Sequence, residues 1–163
     1  MNALKKVPNN NNPIIVQYAG VRRLGLPAAV SFKRWARYAL QKNISGLGIR
    51  LVDEVEIASL NQCYRQKEGT TNVLSFPVEP LINEQTKWLG DIVICPTVAA
   101  EQACQQGKKL QHHLAHLTIH GVLHLRGYNH MEDTDAYRME SLEVQLLETL
   151  GIANPYISNE CYQ

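Results

Sequence analysis

His120-Gly121-Val122-Leu123-His124-Leu125-Arg126-Gly127-Tyr128-Asn129-His130 ends an apolar-rich run whose pattern predicts a long helix from about Leu110 to Leu125, stopped by Gly127. Two histidines four apart on a helix project from one face, about one turn from each other, a separation that suits two imidazole ligands of a tetrahedral ion. Gly127 can take a positive φ, so the chain can turn back and present His130 as a third nitrogen. Three imidazoles leave one tetrahedral position open to water, which marks a catalytic rather than a structural zinc, because bound water is acidified to a pKa of about 7. One zinc ion per chain is therefore expected on His120, His124 and His130.

The spacing H-x-x-x-H-x-x-G-x-x-H is that of the metzincin peptidases with one change: position 121 is Gly where those enzymes carry their general-base Glu. A peptidase reading loses its proton shuttle. The small residue is expected to leave room beside the ion for a bulky substrate or for the backbone of another segment. His112 and His116 precede His120 by two turns and one turn on a similar face, and a solvated or supporting role suits them, and His113, better than ligation. His116 is the better candidate for a hydrogen bond that supports a ligand.

Working outward, Pro13 to Tyr18 reads as a strand ended near Gly20, behind a polar lead-in at 1–12 that is expected to be disordered. From about Pro27 to Gln41, Ala28, Phe32, Trp35, Ala36 and Ala39 recur at helical spacing, with Lys33, Arg34 and Arg37 on the opposite, basic face. Leu47 to Val52 alternates as a strand, and Asp53 with Glu56 resembles a capping box for a helix to about Tyr64. Val73–Pro77 and Asp91–Cys95 are short apolar runs and read as strands, with a loop at 79–88 between them. Pro96 suits a first helical turn and Gly107 a helix end. Asp133 can cap a last helix, with Met139, Leu142, Leu146 and Leu150 along one stripe and Gly151 after it. The order is strand, helix, strand, helix, two strands, three helices. It argues an α+β, layered α/β architecture: one domain over 13–157 with a small mixed four-stranded sheet and about five helices, followed by a tail at 158–163.

Length and composition agree with a single core, since 163 residues with 45% hydrophobic content fill one domain. No stretch approaches the roughly 18 to 20 apolar residues that span a bilayer, so a soluble, cytoplasmic protein with no membrane partner is expected. Four scattered cysteines, Cys63, Cys95, Cys104 and Cys161, form no C-x-x-C pair and read as reduced thiols. The net charge of +1 hides an asymmetry: eleven Lys/Arg against three Asp/Glu up to Lys67, a balance of +8, then five against twelve, a balance of −7. A basic face for a polyanion is compatible with that split, as is ordinary solvated charge.

The segment 120–130 resembles the signature of the YbeY family, approximately H-G-x-L-H-L-x-G-Y-D-H. Asn61-Gln62-Cys63-Tyr64-Arg65, Thr71 through Pro77, Leu89 through Ile94, and Leu150-Gly151 through Ile157 are similar to further blocks of that family. The resemblance implies a zinc-dependent endoribonuclease specific for single-stranded RNA, acting in ribosomal-RNA maturation at the 3′ end of the small-subunit RNA and in ribosome quality control. It implies zinc on the three histidines, an important arginine at Arg65, and catalytic roles for Arg65 and His120. The implied partners are ribosomal RNA and the small ribosomal subunit, with a small-subunit ribosomal protein and a ribosome-associated GTPase beside them. Asn129 departs from the usual Asp; it keeps the hydrogen bonding that could orient a ligand and loses the charge. Arg65 also makes sense on chemistry alone, because a guanidinium fork matches the non-bridging oxygens of a phosphodiester. Lys33, Arg34 and Arg37 are candidates for RNA phosphate contacts. Tyr64 and Phe76 read as core rather than base-stacking platforms. A metallopeptidase using another base, and a non-catalytic zinc-stabilised ribosome assembly factor, are the alternatives.

Overall fold

Alternating side chains assign each strand residue to one of two layers, and here both faces of the sheet are covered. The computed structural model describes residues 13–40, 46–79 and 88–157; the lead-in at 1–12, most of the loop expected at 79–88 and the tail at 158–163 lie outside the described residues. Elements follow in the order read from the sequence: β1 (Ile14–Ala19), α1 (Ala29–Ala39), β2 (Gly46–Val52), α2 (Glu54–Arg65), β3 (Val73–Pro77), β4 (Trp88–Ile94), α3 (Pro96–Gln105), α4 (Leu110–Leu125) and α5 (Asp133–Thr149). The strands lie in the order β1-β2-β4-β3. β1, β2 and β4 run parallel, and β3 is antiparallel to β4. β4 begins at Trp88, three residues before the expected start, and Cys95 lies beyond it as the residue that opens α3.

Leu47, Ile49 and Leu51 of β2 and Ile92 and Ile94 of β4 face the larger core with Phe32, Trp35 and Ala36 of α1 and the apolar side of α4. Val52, Val93, Cys95 and Leu74 point the other way, onto Ile57 of α2. A parallel strand buried on both faces needs apolar residues at successive positions, which is why β4 ends in a continuous Ile-Val-Ile run. Phe32, fully buried and edge-on to Trp35 at 5.1 Å, is worth roughly 2–3 kcal/mol of burial by itself.

Two local expectations need correction. Asp53 does cap α2, accepting from the Glu56 amide at 2.9 Å, but the Glu56 carboxylate does not reach back; it pairs with Arg50 Nε at 2.9 Å instead. Asp133 is the first residue of α5 rather than its cap: Glu132 holds the cap position without a side-chain bond, and Asp133 and Asp135 instead place negative charge in the first turn, where the helix dipole favours it.

α4 is the helix around which the others gather, buried along most of its circumference. Ser75 on β3 fastens it to the sheet by donating its hydroxyl to the Gly121 carbonyl at 3.1 Å. Its histidines interrupt the apolar surface on the side where α5 and the C-terminal segment arrive.

A three-histidine centre backed by a buried carboxylate

His120 and His124 stand one turn apart at the C-terminal end of α4. Gly127, at φ +93°, then lets the Tyr128 amide bond back to the Leu123 carbonyl at 3.1 Å, which closes the helix and reverses the chain. The reversal brings His130 over the other two, with ring centroids 4.9 Å from His120 and 4.7 Å from His124. One nitrogen from each of the three rings lies within 4.8 Å of one from every other, so the set can hold a metal ion.

Hydrogen bonds decide where the protons sit. His124 Nδ1 is 2.9 Å from the Tyr128 carbonyl, and His120 Nδ1 bonds the Glu143 carboxylate. Both partners only accept, so both rings carry their proton on Nδ1 and leave a lone pair on Nε2. These two Nε2 atoms face each other at 3.0 Å. Two converging lone pairs repel unless a cation lies between them, so the donor set fits a metal bound by neutral imidazoles. The electrostatics agree: burial, and then the neighbouring His120 and His130, push His124 down to about 4. Burial and His120 also lower His130, against the pull of Glu143 and Glu140.

Glu143, on α5, is the residue that sequence reasoning missed. It has no exposed surface, and its Oε2 takes His116 Nε2 at 3.1 Å and the Tyr156 hydroxyl while Oε1 takes His120. Burial alone would raise its carboxyl, but the hydrogen bonds from His116 and His120 outweigh it and hold the group at about 2. The signal was present in the sequence: the fully buried positions of α5 are Met139, Glu143 and Leu147, so an acid occupies the apolar stripe. Leu142, Leu146 and Leu150, expected on that stripe, are only partly buried.

The remaining expected residues separate. His116 joins the centre through Glu143, as a support rather than a donor to the same point as the three rings. Arg65, the exposed last residue of α2, is near enough for its charge to contribute to the lowering of His124. Asn129 spends its side-chain oxygen on the Met131 amide at 2.9 Å, shaping the loop before His130; among the described residues it bonds no histidine. Lys33, Arg34 and Arg37 stay on α1, with no hydrogen bond or ion pair to the cluster among the described residues; Arg34 is exposed, Lys33 and Arg37 half-buried. Arg37 buries its Nε with no hydrogen-bond partner among the described residues. Tyr64 is not core: it is 68% exposed and leans edge-on against Phe76 at 5.1 Å. Gly121 does not open space for a substrate either. It is buried against the sheet, where a Cβ would lie 2.7 Å from Ile92 Cγ2, so its smallness serves helix–sheet contact rather than substrate access. A cavity of about 830 Å³ opens beside the centre, bordered by His116, His120, His130, Tyr156, Gln102 and Lys108.

The layered α+β domain thus presents three convergent imidazoles and a supporting carboxylate, a donor set that could hold a metal ion. The family model described as Endoribonuclease YbeY matches residues 28–151, and the chain belongs to that family. Among curated relatives, each called Endoribonuclease YbeY, one from Stenotrophomonas maltophilia is 50% identical over 149 residues, covering 88% of this chain and 92% of its own. One from Xylella fastidiosa is 50% identical over 144 residues, covering 85% and 89%, and one from Nitrosococcus oceani is 47% identical over 147 residues, covering 88% and 95%.

Proposed function

We propose that this chain is a zinc-dependent endoribonuclease that cuts single-stranded RNA, acting on ribosomal RNA at the 3′ end of the small-subunit species and in ribosome quality control. The observation that carries the metal reading is the pair of Nε2 lone pairs facing each other at 3.0 Å, with His130 beside them. Membership of the YbeY family carries the RNA reading. Residues 13–157 are the catalytic unit, and the cytoplasm, with the small ribosomal subunit, its proteins and a ribosome-associated GTPase, is the proposed setting. Among the described residues no helix is long and apolar enough to cross a membrane.

Imidazole ligands favour zinc. Bound by His120, His124 and His130, it would supply a Lewis acid and acidify water next to the scissile phosphodiester. Arg65 would direct its planar fork at the non-bridging oxygens, where negative charge accumulates as the phosphodiester is attacked, and would neutralise it with two parallel hydrogen bonds. His120 and His124 would stay neutral donors because their protons are fixed on Nδ1. The adjoining cavity has room for a nucleotide next to the cleaved bond.

The metallopeptidase reading is weakened at Gly121. No Glu fits there without displacing Ile92, so the general base of the metzincin pattern cannot be restored at that position. Zinc content together with cleavage of single-stranded RNA, double-stranded RNA and peptide, measured on the wild type and on His124→Ala, tests the proposal. Zinc-dependent cutting of single strands that disappears in the variant is the expected result. A zinc-loaded protein that cuts peptide, or one that binds small subunits and cuts nothing, would overturn it in favour of one or other alternative.

A further inference from the structure

An ionised carboxylate with no exposed surface is strongly disfavoured unless partners compensate it, and packing alone would favour Leu at position 143, between Met139 and Leu147 on the same stripe. Both oxygens of Glu143 are committed. Oε1 takes the proton on His120 Nδ1, and Oε2 takes His116 Nε2 and the Tyr156 hydroxyl. His116 and Tyr156 also touch each other, at 3.3 Å, so the carboxylate is braced from α4 and from the C-terminal segment together.

We infer that Glu143 is the positioning residue of the metal centre: by accepting from His120 Nδ1 it fixes the His120 ring and its tautomer, aims the Nε2 lone pair at the point shared with His124, and strengthens that nitrogen as a donor. The inference rests on the metal reading above. Its physical basis is that a negative acceptor on one imidazole nitrogen raises the basicity of the other. His124 has only the neutral Tyr128 carbonyl in the same role, so the two ligands are not equivalent and His120 is the one with charged support. His116, His120 and Glu143 together form a second set that could itself hold an ion. A metal there would need His120 Nδ1 without its proton and a carboxylate oxygen freed from His116 or Tyr156. Three donors already fill those sites.

Glu143→Gln tests this while preserving volume and one acceptor for His120 Nδ1–H; it removes the charge and puts an amide NH2 where Oε2 accepts from His116 and Tyr156. Zinc affinity measured by chelator competition should fall ten- to hundredfold in the variant. A change smaller than tenfold would overturn the inference. The wild type supplies a second measurement that does not depend on the variant folding. Long-range proton–nitrogen NMR of the imidazoles should find His120 protonated at Nδ1 and not at Nε2, and the opposite tautomer, or metal ligation through Nδ1, would overturn the inference. Wild-type protein that takes up no zinc would overturn the metal reading instead, and the tautomer measurement would still decide what Glu143 does.

Discussion

A Cβ built on Gly121 falls 2.7 Å from Ile92 Cγ2 and 3.1 Å from its Cδ1, and Ile92 itself is wholly buried in the middle of β4. Gly in a helix interior ordinarily costs about 1 kcal/mol against Ala, so Gly121→Ala would be stabilising if the space were open. Overpacking a closed core costs about 1–3 kcal/mol and outweighs that gain. Gly121→Ala should therefore lose about 1–2 kcal/mol in denaturant unfolding, and less in an Ile92→Ala background, where the obstructing branch is gone. A more stable Gly121→Ala single variant would show that the contact is not the constraint.

The wild type should carry about one zinc per chain, and because three ligands leave little redundancy, His120→Ala, His124→Ala and His130→Ala should each lose most of it. Elemental analysis of the purified proteins reads this directly. Full occupancy in all three variants would end the three-histidine assignment.

Arg65→Lys keeps the charge and loses the planar fork. Arg65 is exposed at the end of α2, so fold and zinc content should survive while single-turnover cleavage of single-stranded RNA slows, by about tenfold or more if one bidentate contact worth roughly 1.5–3 kcal/mol is lost. A wild-type rate would remove Arg65 from the reaction.

His113 gives stability a pH dependence of its own. It is buried, bonds Gln102 through Nε2 at 2.9 Å, and is lowered to about 4 first by burial and then by His116 and Lys108. Above about 6.5 it is neutral in folded and unfolded chains alike and contributes nothing to the slope. Between 6.5 and 4 the unfolded chain takes a proton that the folded one refuses, so stability falls as pH falls, by up to about 3 kcal/mol. His113→Gln should remove that part of the decline. Identical slopes from pH 7 to pH 5 for the two proteins in denaturant titrations would refute the assignment.

Replacing Lys33, Arg34 and Arg37 together by Gln tests whether α1 grips RNA. Each phosphate contact on a single strand contributes about −0.7 to the log-log salt slope, so the triple variant should bind more weakly, with a slope flatter by up to about 2 and zinc unchanged. Arg37, its Nε buried, is the member least available for such a contact. Superimposable titrations would place the RNA grip elsewhere, around Arg65 and the metal.

Much of this was legible because it is local. A four-residue spacing on a helix fixes His120 and His124 in relation to each other, and a glycine after the last turn announces the reversal that delivers His130. Period-2 and period-3.6 patterns likewise gave each element its type and place in the order. What stayed hidden depends on partners distant along the chain. Glu143 shares a helical spacing with Met139 and Leu147, but that it is buried and charged is explained only by His116, His120 and Tyr156, which lie far from it in sequence. The reason for Gly121 lies in Ile92, and the Glu56 carboxylate prefers Arg50, which is six residues away in sequence but beside it across the layer. Tyr64 was misassigned because an aromatic on a helix carries no mark of whether a second layer covers it.

The strand order carries a consequence for synthesis. β2 finds its second neighbour only in β4, roughly forty residues later, and β3 must wait for the same strand before it can pair at all. As the chain leaves the ribosome, a β1–β2 ribbon precedes any completed sheet, and the β2 edge that β4 will cover stays open until β4 emerges. α3 and then the helix with His120 and His124 follow β4, so the three histidines leave the ribosome only after all four strands have done so. The nascent chain thus exposes the three histidines only when every strand that carries the core is already available.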